Sequence, residues 1–431
     1  MYRLTHVISM PDFPQHFLTI FAQAMRAFFT WALGCLVVAA VIGALLRLIF
    51  VVDLPWMVFK PWLHAHSHVA MLGWVFTGLF VSLVDQEGSD LRPGIARTFT
   101  VALAAVGGMV LFFPLQGYAP IPIALSTIHM ILGYRLALHA WRRTAAWPAE
   151  GSRLLVRLAL VLLVLSTLGI WAMPFIMAAG LAGTEIYYWS IQWFLHFQFN
   201  GWFWFGVMAI GSRWAETHGV PVRLDRFTTS LWLLSCLLTY ALVIAWSERY
   251  TFIIAVNAVG VLVQLWAGWR TLMAMHRVRA QALVRTTPWL RLCIGMLLCA
   301  MMVKVAIQTA LVWPTMAEMA LTIRNYVIGF IHLNTLGVAS SALFGYAITR
   351  GWLDERRPGM RAGLLLFFGG VLSSELLLFL QGTLLWMGAG MIPGYHAVLF
   401  GCSIPLPVGA LLLLINAIRS MQRTAAPVSG G

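Results

Sequence analysis

Twelve apolar stretches, each long enough to cross a lipid bilayer, divide this chain of 431 residues from end to end. A helix that crosses the hydrocarbon core needs about 20 apolar residues, and in lipid the backbone must satisfy its hydrogen bonds internally. The sequence therefore predicts an all-α, polytopic membrane protein that forms one transmembrane domain over residues 1–431. The predicted helices cover residues 24–50, 63–84, 98–117, 120–141, 153–178, 187–212, 227–247, 250–270, 290–312, 325–349, 361–388 and 394–419.

Charged residues are scarce and unevenly placed. They make up 10% of the chain, whereas a soluble domain has about 25%. The net charge of +14 comes mostly from arginines in short loops, which is typical of topogenic charge and not of a nucleic-acid surface. These arginines follow the even-numbered helices and are Arg92, Arg97, Arg142, Arg143, Arg213, Arg223, Arg226, Arg277, Arg279, Arg285, Arg356 and Arg357. The opposite loops carry only Lys60, Arg249 and Arg324, so the positive-inside rule places both termini in the cytoplasm.

The remaining general features are few. The five cysteines lie within apolar stretches without a CxxC pair, which is typical of small buried side chains and not of a disulfide framework. No internal repeat is evident, and the first twenty residues show no cleavable signal peptide. The small, polar tail Thr424–Gly431 is expected to be disordered.

Histidines inside the predicted helices share one depth in the membrane. In this topology the even-numbered helices run inward, and His129, His196 and His332 lie about 12–15 Å below the outer surface. The segment His64-Ala65-His66-Ser67-His68 lies somewhat shallower, in the second helix. Imidazole in a bilayer is costly unless it has a partner, and neutral imidazole binds haem iron, copper and zinc. The pattern therefore indicates a haem or metal site in the outer half of the membrane.

The three histidines of the second helix cannot all point the same way. His64 and His68 are four residues apart and share a face, while His66 is about 200° away from either. One of these imidazoles is expected to bind haem iron, with His68 favoured, and another to bind a second metal or a propionate. The alternative is a set of polar residues at the water interface, and for His64 the two interpretations are equally balanced.

The other histidines differ in their neighbourhoods. His196 precedes Asn200 by one helical turn, so the amide could orient the ring or a ligand. His332 lies between Gly329 and Gly337, which either leave room for a flat cofactor or permit close helix packing. Two further histidines lack a distinctive neighbourhood and form a second tier of candidates, His129 and His396.

Four further polar residues within the spans, and two arginines at the outer face, complete the candidates. Lys304 with Gln308, and Glu375 with Gln381, are expected to face the bundle interior, as a proton path or as buried structural charge. Arg249 and Arg324 are candidates for pairing with haem propionates, because arginine binds carboxylates in a bidentate manner.

Taken together, the histidines of helices two, six and ten resemble those of subunit I of the haem–copper oxidase superfamily, and in particular a short group of subunit-I-like bacterial proteins. The stretches that carry the resemblance are residues 64–74, 116–118, 124–127, 195–202, 304–308 and 324–337. The resemblance implies a bacterial inner-membrane protein with haem b and copper, and a cytochrome or quinol as electron donor. It places His64, His66 or His68 and His332 at the haem, and His196 at the copper.

Two departures from that pattern limit what the resemblance implies. The superfamily has a histidine pair in helix seven and two histidines in helix ten, whereas here helix seven has none and helix ten has only His332. A standard haem–copper binuclear centre is therefore incomplete, and His66 or His68 with His196 and His332 could form a different metal site. We expect an oxidoreductase or electron-transfer protein. The alternatives are a haem- or copper-binding sensor or metal-handling protein and, less favoured, a transporter with a histidine-lined path.

Overall fold

The structure, a computed structural model, describes residues 15–85, 93–147, 150–222, 224–245 and 251–425. The described part is helical and contains no strand. Eleven of its helices are long and apolar enough to cross a membrane, which confirms a polytopic membrane protein. Arg92, Arg223, Arg249 and residues 426–431 of the tail lie outside the described residues.

The helices follow the predicted stretches closely. Eleven of them are α1 (Gln15–Leu48), α2 (Phe59–Val84), α3 (Pro93–Gln116), α4 (Pro120–Arg143), α5 (Glu150–Ala178), α7 (Arg226–Ile244), α8 (Thr251–Val284), α9 (Pro288–Ala310), α10 (Arg324–Thr349), α11 (Pro358–Trp386) and α12 (Tyr395–Gln422). The largest difference is in α8, which continues to Val284 although the apolar stretch was predicted to end at residue 270. The helix extends because its polar end, rich in arginine and alanine, has high helix propensity and needs no lipid.

The sixth predicted helix, α6, is the one that the eleven do not include. It is continuous over three segments, Glu185–His196, Phe197–Phe203 and Trp204–Thr217. At 1.5 Å per residue this length suffices to cross a bilayer. Its tryptophans, tyrosines and amides lower its mean hydropathy, so the count of twelve spans stays a prediction for this helix.

Three helices form the centre of the bundle. Of the apolar window of α2, 72% is buried, and of α10, 67%, whereas α9 has 22%. The indole Nε1 of Trp74 in α2 donates to Ser340 Oγ in α10 at 2.8 Å, and Phe80 of α2 packs on Trp202 of α6 with ring centroids 4.8 Å apart. Helices α6 and α10 are also in contact. The other helices surround these three, and α1 packs against α12.

Each central helix carries the same local feature, which the sequence analysis missed. A histidine ends an α-helical segment, and a π-helical turn follows directly: Val69–Phe76 after His68, Phe197–Phe203 after His196, and Leu333–Ala339 after His332. Five residues after each histidine stands a glycine, Gly73, Gly201 and Gly337. Each glycine lies against the preceding odd-numbered helix, where an added Cβ would come within 2.8–2.9 Å of Cys35, Leu162 or Ala300. The histidine, the π-helical turn and the glycine therefore recur at every fourth helix, in α2, α6 and α10, which we call the threefold repeat. Such π-helical turns frequently mark functional sites.

Candidate functional site

The two faces of α2 contact different helices, as the helical spacing predicts. His66 faces α1: its Nδ1 lies 2.9 Å from the carbonyl oxygen of Ala39, and its ring lies against Gly43. His64 and His68 face α3, where His68 packs on Phe113 with ring centroids 4.4 Å apart. The prediction that His66 points away from His64 and His68 is confirmed.

His66 belongs to a polar cluster between α1, α2, α10 and α11, which we call the His332 cluster. Its members are Arg47, His66, His332 and Glu375. His66 interacts electrostatically with His332 and with Arg47, and Arg47 with Glu375. His332 Nδ1 lies 3.4 Å from Glu375 Oε1 without forming a hydrogen bond. The cluster thus joins His66 to His332 from opposite helices of the bundle centre.

Several polar atoms of the His332 cluster are unsatisfied. Both carboxyl oxygens of Glu375 and Nδ1 of His332 are buried without a hydrogen-bond partner among the described residues. Nδ1 of His66 must donate to the Ala39 carbonyl, because that oxygen can only accept. Nε2 of His66 is therefore the unprotonated nitrogen, and no described residue hydrogen-bonds to it or to Nε2 of His332. Two imidazole nitrogens that can bind a metal are thus left free.

Two arginines lie near the same end of these helices. Arg47, three residues before the end of the first predicted span, donates a hydrogen bond to Ser403 of α12. The guanidinium of Arg324, at the start of α10, lies 5.5 Å from the ring centroid of Phe59 at the start of α2. Positive charge therefore lies at this end of the helices.

A second cluster, the Lys304 network, consists of His196, Asn200, Lys304 and Gln308. The Lys304 ammonium donates to Asn200 Oδ1 at 2.7 Å and to Gln308 Oε1 at 3.2 Å. Asn200 Nδ2 lies 3.2 Å from His196 Nδ1, and His196 Nε2 lies 2.8 Å from the carbonyl oxygen of Cys236 in α7. All four side chains are buried, and the ammonium lies 4.1 Å from the ring centroid of Trp204. The network confirms that Lys304 and Gln308 face the interior, and it connects them to the histidine of α6.

The remaining candidates lie apart from both clusters. His64 packs edge-on against Tyr118, with ring centroids 4.5 Å apart. His129 is buried against Phe76, and its Nε2 has no hydrogen-bond partner among the described residues. His396 stacks on Phe50, with centroids 5.0 Å apart.

The histidines proposed together as metal ligands are not brought together. His66 faces α1, His68 faces α3 and His196 faces α7, because α2 and α6 present these side chains in different directions. In the part of the chain that the structure describes, no group of three or more His, Cys, Asp or Glu side chains could hold a metal ion. The pairing of His66 with His332 is therefore the arrangement that remains.

The glycines around His332 serve helix packing. A Cβ at Gly329 would come within 3.0 Å of Phe379 and 3.3 Å of Glu375, and one at Gly337 within 2.9 Å of Ala300. Of the two interpretations of these glycines, the contacts favour close approach of α11 and α9 to α10.

Arg47 is the main residue of the site that the sequence analysis did not single out. A signal for it existed, since it is a basic residue inside a predicted span and near its outer end.

No protein-family model matches this sequence, and no curated protein matches it at a significant level.

Proposed function

We propose that this protein binds one haem b between α2 and α10, where His66 and His332 would hold it, and that it transfers electrons near the outer face of a bacterial inner membrane. The observation that carries the proposal is the hydrogen bond from His66 Nδ1 to the Ala39 carbonyl. Histidines that bind metals generally donate the other ring nitrogen in this way, which fixes the tautomer and orients the ring. The resemblance to haem–copper oxidase subunit I supports the same pair of helices.

The surroundings of His332 suit a large ligand. Its side chain is 20% exposed although it lies between helices, so open space adjoins the ring. Gly43 leaves room for the His66 ring beside α1. Because both Nε2 atoms are free of hydrogen bonds, His66 and His332 would both be available to hold a haem.

The charges of the cluster suit the edge and the ligand of a haem. Arg47 and Arg324 would bind the propionates, since guanidinium groups pair well with carboxylates. Glu375 beside His332 Nδ1 would accept a hydrogen bond from that ring and increase its basicity as an iron ligand. The haem would explain why Glu375 is buried without a hydrogen-bond partner in its absence.

Electron transfer is favoured over reduction of a small molecule at this haem. Held by two histidines, the haem would supply one-electron redox chemistry. The residues of the chain would hold it and neutralise its propionates in the outer half of the membrane. A cytochrome or a quinol remains the proposed electron donor. A haem-binding sensor would use the same two ligands.

The test is an absorption spectrum of the purified full-length protein, oxidised and dithionite-reduced, with haem quantified per chain. We expect stoichiometric haem with a sharp reduced α-band and no change on adding carbon monoxide. His332→Ala should abolish this band or convert it to a five-coordinate spectrum. A colourless protein made with haem available, or an unchanged spectrum in His332→Ala, would contradict the proposal; the colourless protein would favour the transporter alternative.

A further inference from the structure

We infer that the amino group of Lys304, held by Asn200 and Gln308, takes the place of a metal ion next to His196. The resemblance implies copper at the histidine of α6, and the residues present there do not fit it. The inference does not depend on the haem proposal, because it concerns a different cluster and a different ligand.

His196 has no nitrogen left for a metal. Its Nε2 must donate to the carbonyl oxygen of Cys236 at 2.8 Å, because a carbonyl oxygen can only accept. The ring is neutral in this tautomer, so Nδ1 accepts, and Asn200 Nδ2 donates to it at 3.2 Å. A metal ion at either nitrogen would have to displace one of these bonds.

The direction of every further bond follows from this one. With its Nδ2 turned to His196, Asn200 presents Oδ1 to the two donors Lys304 Nζ and Gln308 Nε2, at 2.7 and 3.2 Å. Gln308 then presents Oε1 to the same ammonium at 3.2 Å. Two amide oxygens and the face of Trp204, 4.1 Å away, therefore surround Lys304 Nζ as ligands surround a cation. The hydrogen bonds that run from Cys236 through His196 and Asn200 therefore require Lys304 to act as a donor.

The Lys304 amino group has no counter-charge in the described part of the chain. Lys304 is 2% exposed, and no described carboxylate lies within 4.0 Å of its Nζ. An ionisable residue buried within a membrane-spanning helix is a functional-site candidate.

The experiment measures copper, zinc and haem per chain in full-length protein made with both metals supplied. His196→Gln is the first variant, because its amide can still donate to the Cys236 carbonyl and accept from Asn200. We expect neither metal in the wild type, and no change in metal content in His196→Gln. Lys304→Arg, which keeps the charge, should gain none.

Stoichiometric copper or zinc in the wild type that is lost in His196→Gln would overturn the inference. Folding is checked by elution of each variant as a monodisperse detergent complex, which does not depend on haem. A wild type without haem and without either metal would contradict the haem proposal alone.

Discussion

His196 and His332 occupy equivalent places in the bundle but differ in the hydrogen bonds that the neighbouring helices make with them. Each is the last residue before a π-helical turn, and each precedes a packed glycine by five residues. At His196 both ring nitrogens are hydrogen-bonded and the side chain is buried. At His332, Nδ1 and the neighbouring carboxylate of Glu375 are unsatisfied, and part of the ring is exposed.

The difference arises from the surrounding helices and not from the histidine segments themselves. Helices α7 and α9 bring a carbonyl and the Lys304 ammonium to His196, which completes its hydrogen bonding. Helices α1 and α11 bring Arg47 and Glu375 to His332, and these leave buried polar atoms without partners. The same π-helical turn after a histidine can therefore lie in a site where the polar atoms are hydrogen-bonded, as at His196, or in one where several are not, as at His332.

The largest effect, on haem content, is expected from substituting the histidines on the two faces of α2. His66→Ala should abolish haem binding, because the variant lacks the imidazole that faces His332. His68→Ala is the matched control, two residues away on the face that packs against Phe113, and it should keep the haem. Haem per chain and the reduced α-band measure both. Loss of haem in His68→Ala with retention in His66→Ala would assign the ligand to the other face and invalidate the proposed pair.

A smaller effect, on the free energy of unfolding, is expected for Asn200 of the Lys304 network. The comparison is with Asn334, which lies in the equivalent π-helical turn of α10. Asn200→Ala should destabilise the protein by about 1.5–3 kcal/mol, because the buried Lys304 amino group loses its nearest hydrogen-bond acceptor. Asn334→Ala in α10 is the control, since Asn334 is equally buried but donates only to the carbonyl of Phe330, a bond of about 1 kcal/mol. Thermal unfolding in detergent measures the difference. Equal losses in the two variants would mean that the Lys304 network has no special weight.

The sequence alone predicts much of the fold and part of the site. Apolar length predicts the helices, and helical spacing predicts that His66 and His68 face different neighbours, because both are local properties of a chain in lipid. The contact of Lys304 with Asn200 joins residues 104 positions apart and depends on the rotation of α9 against α6. The contact of His332 with Glu375 depends likewise on how α10 packs against α11. Sequence spacing contains no information on either rotation.

The threefold repeat is a different case, because its signal was present in the sequence. His68 and Gly73, His196 and Gly201, and His332 and Gly337 have the same spacing. Two shared residues in each group are too few to recognise without the backbone, where the common π-helical turn makes the equivalence plain.

The glycine contacts of the repeat predict an effect of about 1–3 kcal/mol. In Gly201→Ala the new Cβ would lie 2.8 Å from Leu162 Cβ, so α5 and α6 must separate and the packing near His196 loosens. Gly211→Ala lies on the same helix with no atom within 4 Å, and it should be neutral or slightly stabilising. Comparing the unfolding temperatures of the two variants tests whether the glycine is needed. A neutral Gly201→Ala would show that α5 gives way without cost.

The smallest effect concerns the N-terminal end of α7, the helix that supplies the Cys236 carbonyl to His196. Asp225 caps this helix: its Oδ1 accepts from the backbone N–H of Thr228 at 2.7 Å, and hydrogen bonds from Thr228 lower the pKa of the carboxyl. Asp225→Ala should therefore cost about 1 kcal/mol at neutral pH. The exposed ion pair with Arg270 adds little.

The same cap predicts a dependence on pH whose sign follows from that lowered pKa. Because the pKa of Asp225 is lower in the folded protein than in the unfolded chain, its charge stabilises the fold above the unfolded pKa. This contribution is lost as the pH falls through the folded pKa, so the difference between wild type and Asp225→Ala should narrow in acid. Asp225→Asn keeps a capping oxygen without a titrating group, and its advantage over Asp225→Ala should not change with pH. Unfolding temperatures measured from neutral to acidic pH give both differences. If the difference in unfolding temperature between wild type and Asp225→Ala did not change with pH, the charge of Asp225 would not contribute to stability. Packing alone would then hold this end of α7 in place.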